Sequence, residues 1–367
     1  MIRVTIIGAG LSGLAIAYRL KAAGVSVSIL EAADVIGGRI QPAVTHRLTE
    51  NETDYIHQDL GPSWVWPYAQ PVLEDWFDEL NIQTFPQFEK GDVIVDLQSE
   101  LRQQFVPSQQ GVTRIKGGTH ALIQALSREL EGVMSCNHVV RACRNDQSAT
   151  TGKDQLTVDV QVNDEQKTSS TDVLILALPP RKAAQLIADV AEFSDVSSVL
   201  NQTPTWMAAH AKVVMLYKTA FWRERGLSGR IVSQVGPLSE VHDHCGPDGQ
   251  SAALFGFSGV PADLRKDVAQ FSAEVKAQLV RCFGQDAPLP EEIIVQDWAC
   301  QRFIATDADL AGPMSHPAVM DEVVRQPHWN NRLWFAASET STVSPGLIEG
   351  ALARADAVAD EVTRLYR

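Results

Sequence analysis

Cysteine is scarce in this 367-residue sequence, and the five present are Cys136, Cys143, Cys245, Cys282 and Cys300. Their number is odd, their spacing is irregular and no CxxC occurs. That excludes a disulfide framework and leads us to expect reduced thiols in a cytoplasmic protein. No run approaches the roughly 18 apolar residues that a membrane helix needs. No secretory leader is expected, because Ile2 to Ile7 already read as a strand. Positive charge is in deficit: 31 Lys and Arg stand against 45 Asp and Glu, a formal net charge of −14. This argues against nucleic acid or an anionic membrane as partner and weakly favours approach by cations. Gly-x-Ser-x-Gly and Walker sequences are lacking, as are repeats and low-complexity tracts. His242-Asp243-His244-Cys245 invites a metal reading, but adjacent loop residues rarely supply three or four converging ligands. No metal is expected.

What is present begins at the first residues. Arg3 to Ile7 is an apolar run that ends at Gly8 and reads as a buried parallel strand. A helix follows with Leu14, Ala17, Tyr18 and Leu20 on one face, and it stops at Gly24. Val25 to Leu30 is a second strand, completing a βαβ unit. Pro71 opens a helix carrying Val72, Leu73, Trp76, Phe77 and Leu80. Thr119 is expected to cap a helix whose stripe is Leu122, Leu126 and Leu130. His138 to Arg144 and Leu156 to Val162 read as paired strands joined by a turn over Asp146 to Asp154. Asp172 to Leu178 is a buried strand halted by Pro179-Pro180. From about Asp195 the pattern becomes that of an antiparallel sheet, with strands at Ala211 to Tyr217, Gly229 to Gln234 and Ala252 to Phe257. A helix bearing Val268, Phe271, Val275 and Leu279 follows. Leu333 to Phe335 is a last strand and Leu347 to Leu365 a last helix.

The chemistry lies first in Gly8-Ala9-Gly10-Leu11-Ser12-Gly13. Gly8 makes the tight turn, Gly10 lets the backbone approach a pyrophosphate, and Gly13 lets helix and strand pack closely. Backbone N–H groups at the helix start, that of Ser12 included, face the phosphates. Glu31 ends the second strand, where a carboxylate accepts from adenosine ribose hydroxyls and disfavours a 2′-phosphate. This context specifies a dinucleotide.

Glu31, five residues, then Gly37-Gly38-Arg39 resembles the extended fingerprint of the flavin-containing amine oxidases. The resemblance continues as separated blocks over most of the chain, and it implies FAD. Arg39 is thereby expected beside the pyrophosphate. Asp59 to Trp64 resembles the block that passes the isoalloxazine ring, which implicates Gly61 and Trp64. Val140, with Val139 as the alternative, matches a valine whose backbone meets the adenine. At the other end, Ser338-Glu339-Thr340 and Gly346-Leu347-Ile348-Glu349-Gly350-Ala351 resemble the block holding the far half of the cofactor. Glu339 is the acid of that block, and the N–H groups of Leu347 and Ile348 are expected at a flavin carbonyl. Lys212, in a strand followed by Phe221-Trp222, matches a lysine that holds a water near the flavin, and it is the candidate catalytic side chain. Trp298 matches a tryptophan packed near the ring.

Two departures bear on the substrate. Several members of the family place an aromatic residue where this sequence has Leu347. The facing half of that amine cage falls near Ile304 to Thr306, where only Phe303 is aromatic. Cys300 stands several residues early for a covalent tether, so FAD is expected to be non-covalent.

The expected fold is α/β: a Rossmann-like FAD-binding domain (residues 1–66, 112–190 and 296–367) with an inserted α+β substrate domain (67–111 and 191–295) on an antiparallel sheet. A short substrate domain leaves the pocket open or covered by a second copy of the chain, as in a homodimer. The expected activity is oxidation of a small-molecule amine, with O2 as acceptor. The alternatives are a desaturase, isomerase or NAD(P)H-type oxidase on the same scaffold, or a flavin redox sensor without turnover.

Overall fold

The computed structural model describes residues 2–48, 53–107, 111–147, 154–247, 249, 251–312 and 315–366. Arg3–Ile7 is the middle strand of a five-stranded parallel sheet. Its neighbours are Val173–Leu176 on one side and Ser26–Leu30 on the other, with Leu333–Phe335 and Met134–Ser135 at the edges. Strands covered on both faces need apolar residues throughout, and Val173–Leu176 is buried at every position. Helix Leu11–Ala22 covers one face together with the C-terminal helix Ile348–Tyr366. Leu14, Ala17 and Leu20 meet Leu352, Ala355 and Val358 in one apolar cluster.

Helix Pro71–Glu79 sends Leu73, Trp76 and Phe77 into that same cluster. The segment 67–111 is therefore shared between two cores. Its later strands, Asp92–Asp96 and Leu101–Gln104, join the second large sheet. That sheet has seven strands in the order Glu292–Asp297, Ala211–Leu216, Ala253–Ser258, Leu238–Asp243, Leu227–Ser233, Asp92–Asp96 and Leu101–Gln104. All its pairings are antiparallel except that of Leu227–Ser233 with Asp92–Asp96, which is parallel. Helix Val268–Phe283 packs Phe271, Val275 and Leu279 against it. Asp267 caps that helix by accepting from the N–H groups of Ala269 and Gln270.

A three-stranded antiparallel meander, His138–Gln147, Asp154–Val162 and Glu165–Thr171, closes over the parallel sheet. The turn expected between its first two strands lies mostly outside the described residues. Its third strand escapes sequence reading because Glu165-Gln166-Lys167-Thr168 is solvated and carries no apolar alternation. Strand Leu238–Asp243 and the hairpin Pro42–Leu48 with Thr53–Asp59 are also additions to the sequence-based reading. Thr119 does not cap the helix it precedes. Its hydroxyl and N–H donate instead to Asp59 Oδ1, at 2.8 and 2.7 Å. No helix among the described residues is long and apolar enough to cross a membrane.

Candidate cofactor and substrate site

The glycine turn is closed at two positions and open at one. Gly8 has φ +101°, and a Cβ there would lie 2.6 Å from the Ala177 carbonyl oxygen. A Cβ on Gly13 would lie 2.0 Å from the Gly8 carbonyl oxygen. A Cβ on Gly10 would meet nothing nearer than Gly38 Cα at 3.9 Å, because its free side is the wall of a cavity. Ser12 lines the same wall, and its hydroxyl donates to the Ala351 carbonyl at 3.3 Å, tying the first helix to the last. Glu31 accepts from the N–H groups of Ala9 (2.7 Å) and Ala33 (2.8 Å). It therefore fixes the turn while its carboxylate edge faces the cavity.

Arg39 and Glu339 are a bidentate ion pair across 300 positions of sequence. Nη1 donates to Oε1 at 2.5 Å and Nη2 to Oε2 at 2.9 Å. Nη2 also donates to the Ser338 hydroxyl, and the Trp206 N–H donates to Glu339 Oε1 at 3.1 Å. Glu339 is wholly buried. Burial would push its carboxyl up, but the Arg39 charge and these hydrogen bonds hold it below the usual carboxylate range. The two ends of the chain are thus joined at the cavity by a charge pair with excellent geometry.

The cavity has a volume of about 1350 Å³ and draws walls from both large sheets. Gly38, Gly61, Trp64, Val140, Trp298, Leu347 and Ile348 all line it, as does Val139. Gly61 is obligatory, since a Cβ there would lie 1.9 Å from the Arg39 carbonyl oxygen. Trp64 donates from Nε1 to Gln87 Oε1 at 2.9 Å and sets its ring edge-on to His242, 4.7 Å away. Trp298 donates to the Leu60 carbonyl at 3.1 Å. Both indoles are therefore held in fixed orientation. Of the two N–H groups expected at the start of the last helix, that of Leu347 is engaged with the Ser344 carbonyl at 3.1 Å.

Lys212 is buried and runs beneath the Gly61–Ser63 lip. It donates to the Gly61 carbonyl at 2.8 Å and to Ser63 Oγ at 2.6 Å, and it stands 4.4 Å from the centre of the Phe255 ring. It is not among the residues lining the cavity; the lip that it supports is. Burial pushes its ammonium down to about 7, against an upward pull from Asp59 and with a further downward push from Arg114. Near neutral pH much of it is an uncharged amine, whose two N–H groups satisfy two oxygens and whose lone pair can accept a proton.

Sequence reasoning missed the part of the cavity wall supplied by the antiparallel sheet and its connecting segments. Trp206, His210, Glu240, Phe257 and Gln296 line it together with Phe303. For Gln296, Phe257 and Glu240 the signal is strand register, whereas Trp206, His210 and Phe303 lie in connecting segments. Gln296, Lys212, Phe257 and Glu240 are successive cross-strand partners and form one row across four strands. Residues in such a row share a face of the sheet. Cys300 is exposed and outside the cavity wall. In the His242 to Cys245 run, His242 contacts Glu240, Asp243 pairs with Arg223, and His244 Nε2 accepts from the Asp59 N–H.

An open glycine face, a carboxylate at the end of the second strand and a large two-walled cavity fit an extended dinucleotide. FAD would be held by the Gly8–Gly13 turn, Glu31, Arg39 and the Ser338–Ile348 segment. Residues 97–363 match the family model for flavin containing amine oxidoreductase, and residues 6–80 match that for an NAD(P)-binding Rossmann-like domain. A probable flavin-containing monoamine oxidase A of Dictyostelium discoideum is 21% identical over 98% of this chain and 97% of its own length. A solved putrescine oxidase bound to putrescine superposes with TM-score 0.77 at 19% identity, covering 99% of each chain. Cyclohexylamine oxidase from Brevibacterium oxydans superposes with TM-score 0.76 at 17% identity over 100% of both chains. The chain belongs to the flavin-containing amine oxidoreductase family and is an FAD-dependent oxidoreductase.

Proposed function

We propose that the chain oxidises an amine that carries a second cationic group, using O2 and water and giving an aldehyde, ammonia and hydrogen peroxide. The row Gln296–Lys212–Phe257–Glu240 carries this reading. Strands lie about 4.8 Å apart, so Glu240 stands roughly 10 Å from Lys212 along the row. Glu240 lines the cavity, and His242, 3.2 Å from its Oε2, holds its carboxyl below the usual range. Between the two lies the Phe257 ring, an apolar surface of the right width for a short methylene chain. A carboxylate beside aromatic rings attracts an ammonium group by charge and by the ring face.

Bound FAD supplies the hydride acceptor. The protein's residues do the rest. Glu240 would anchor the distal ammonium, and Phe257 and Trp64 would exclude water along the chain. The reacting nitrogen must be neutral to favour hydride loss, and an apolar wall lowers its affinity for a proton. Lys212 is proposed to hold or move a proton at the lip, the position that its depressed ionisation suits. Putrescine in a solved structural neighbour is a diamine, which supports the same reading.

A peroxide-coupled screen of monoamines, diamines and amino acids tests it. Diamines are expected to give the highest kcat/KM. Glu240→Gln should lower that value by about 10- to 100-fold for diamines, leaving monoamines nearly unchanged. Equal losses for both classes would remove Glu240 as an anchor. Peroxide from no amine, with flavin bleached by a carotenoid-like or nicotinamide reductant, would instead favour a desaturase or NAD(P)H-type oxidase.

A further inference from the structure

The phosphates of FAD bring two negative charges into the cavity, and Arg39 does not balance them. Its Nη1 and Nη2 both donate to the buried carboxylate of Glu339, so that pair is neutral as a unit. The start of helix Leu11–Ala22 contributes only about half a positive charge. Three other cationic side chains line the cavity. Arg141 is exposed and donates twice to Gln161 Oε1, at 3.0 and 2.8 Å. Arg302 is exposed and lies over the Phe303 ring at 4.4 Å.

Lys182 differs from both. It is half-buried, and among the described residues it has neither a hydrogen bond nor an ion pair. It sits in the first turn of helix Pro180–Leu186, directly after the segment that abuts the glycine turn. The atoms that a Cβ on Gly8 would strike are the Ala177 carbonyl oxygen at 2.6 Å and Leu178 Cδ2 at 3.1 Å. Lys182 lines the cavity from a helix that begins just beyond this contact with the glycine turn. The acid that pulls on it most is already used. Asp309 accepts from Arg181 at 2.5 Å, from the Thr205 N–H at 2.9 Å and from Thr306.

We propose that Lys182 supplies the missing countercharge to the phosphates of FAD and is a determinant of how tightly this chain keeps its cofactor. Burial alone depresses the lysine, with Asp309 and Asp307 pulling the other way. An isolated half-buried ammonium is costly, and a phosphate oxygen within reach removes that cost. The inference rests on FAD as the cofactor and on no assumption about the substrate.

The test is the rate of FAD release from diluted holoenzyme, followed by recovery of flavin fluorescence. Lys182→Met should release FAD about tenfold faster at low salt, and Lys182→Arg should stay near wild type. The gap between wild type and Lys182→Met should narrow at high salt, because the lost interaction is one of charge. Release from Lys182→Met at the wild-type rate at low salt would overturn the proposal. So would a gap that salt leaves unchanged. A wild-type protein purified without flavin would instead count against the cofactor itself, so the two failures are distinguishable. Lys182→Gln keeps length and polarity, and the same measurement on it guards against a packing effect of Met.

Discussion

Lys212 breaks the ordinary rule that buried lysines sit beside carboxylates, and its environment makes two quantities depend on pH. Its ammonium loses the proton near 7 in the folded chain and near 10.5 when unfolded. Between those values the unfolded chain binds the extra proton, so stability rises with pH through that window. Wild type should therefore gain stability relative to Lys212→Met as denaturation is moved from pH 7 to pH 9. The rate of amine oxidation should rise with pH on a limb near 7. That limb should vanish in Lys212→Met, with kcat/KM down by about 100-fold or more. Arg39→Met belongs to the same scale. It leaves the carboxylate of Glu339 wholly buried and unpaired, a loss of about 3–5 kcal/mol. The double change Arg39→Met with Glu339→Gln should recover most of that stability, and a double-mutant cycle reads the coupling directly. Glu31 was legible in the sequence because it ends the strand after the glycine turn, and Arg39 and Glu339 because their short blocks resemble those of the family. Trp206, Phe257, Glu240 and Lys182 were not. They reach the cavity through strand register (Phe257, Glu240), helix placement (Lys182) or a connecting turn (Trp206), and no spacing along the chain encodes any of these.

At the scale of elements, the glycine turn separates folding from binding. Gly13→Ala drives a methyl group to 2.0 Å from the Gly8 carbonyl oxygen, prising the first helix from the first strand. It should lower the melting temperature of the apoprotein. Gly10→Ala meets only Gly38 Cα at 3.9 Å, and its φ of −73° suits any residue. It should leave apoprotein melting unchanged while weakening FAD binding, because the methyl group fills the space where a phosphate would approach. Parallel melting curves and FAD titrations check the pair. The βαβ unit, the meander's first strands and the last helix could be read in advance because their apolar patterns match one secondary-structure period. Strand Leu238–Asp243 could not. Its alternation is broken at His242 and Asp243, both buried by partners from elsewhere, Trp64 and Arg223. The Thr119 cap failed because its backbone is already helical, at φ −63° and ψ −21°, where its side-chain oxygen is not presented to the next turn's N–H groups.

At the scale of the whole molecule, the cavity is walled by both large sheets, so cofactor and fold are linked by mass action. Added FAD should stabilise the fold with the logarithm of its concentration, by about 2.7 kcal/mol at a hundred times Kd, and raise the melting temperature accordingly. The Lys182→Met variant should need more FAD for the same shift. The ion pair of Arg39 with Glu339 has a consequence for the order of assembly during synthesis. Arg39 leaves the ribosome early, and Glu339, its carboxylate partner among the described residues, follows 300 residues later. The C-terminal helix that packs on the glycine-turn helix comes later still. A growing chain therefore holds a recognisable nucleotide motif for most of its synthesis but no finished site. Tight binding of FAD is expected only once the C-terminal helix is in place.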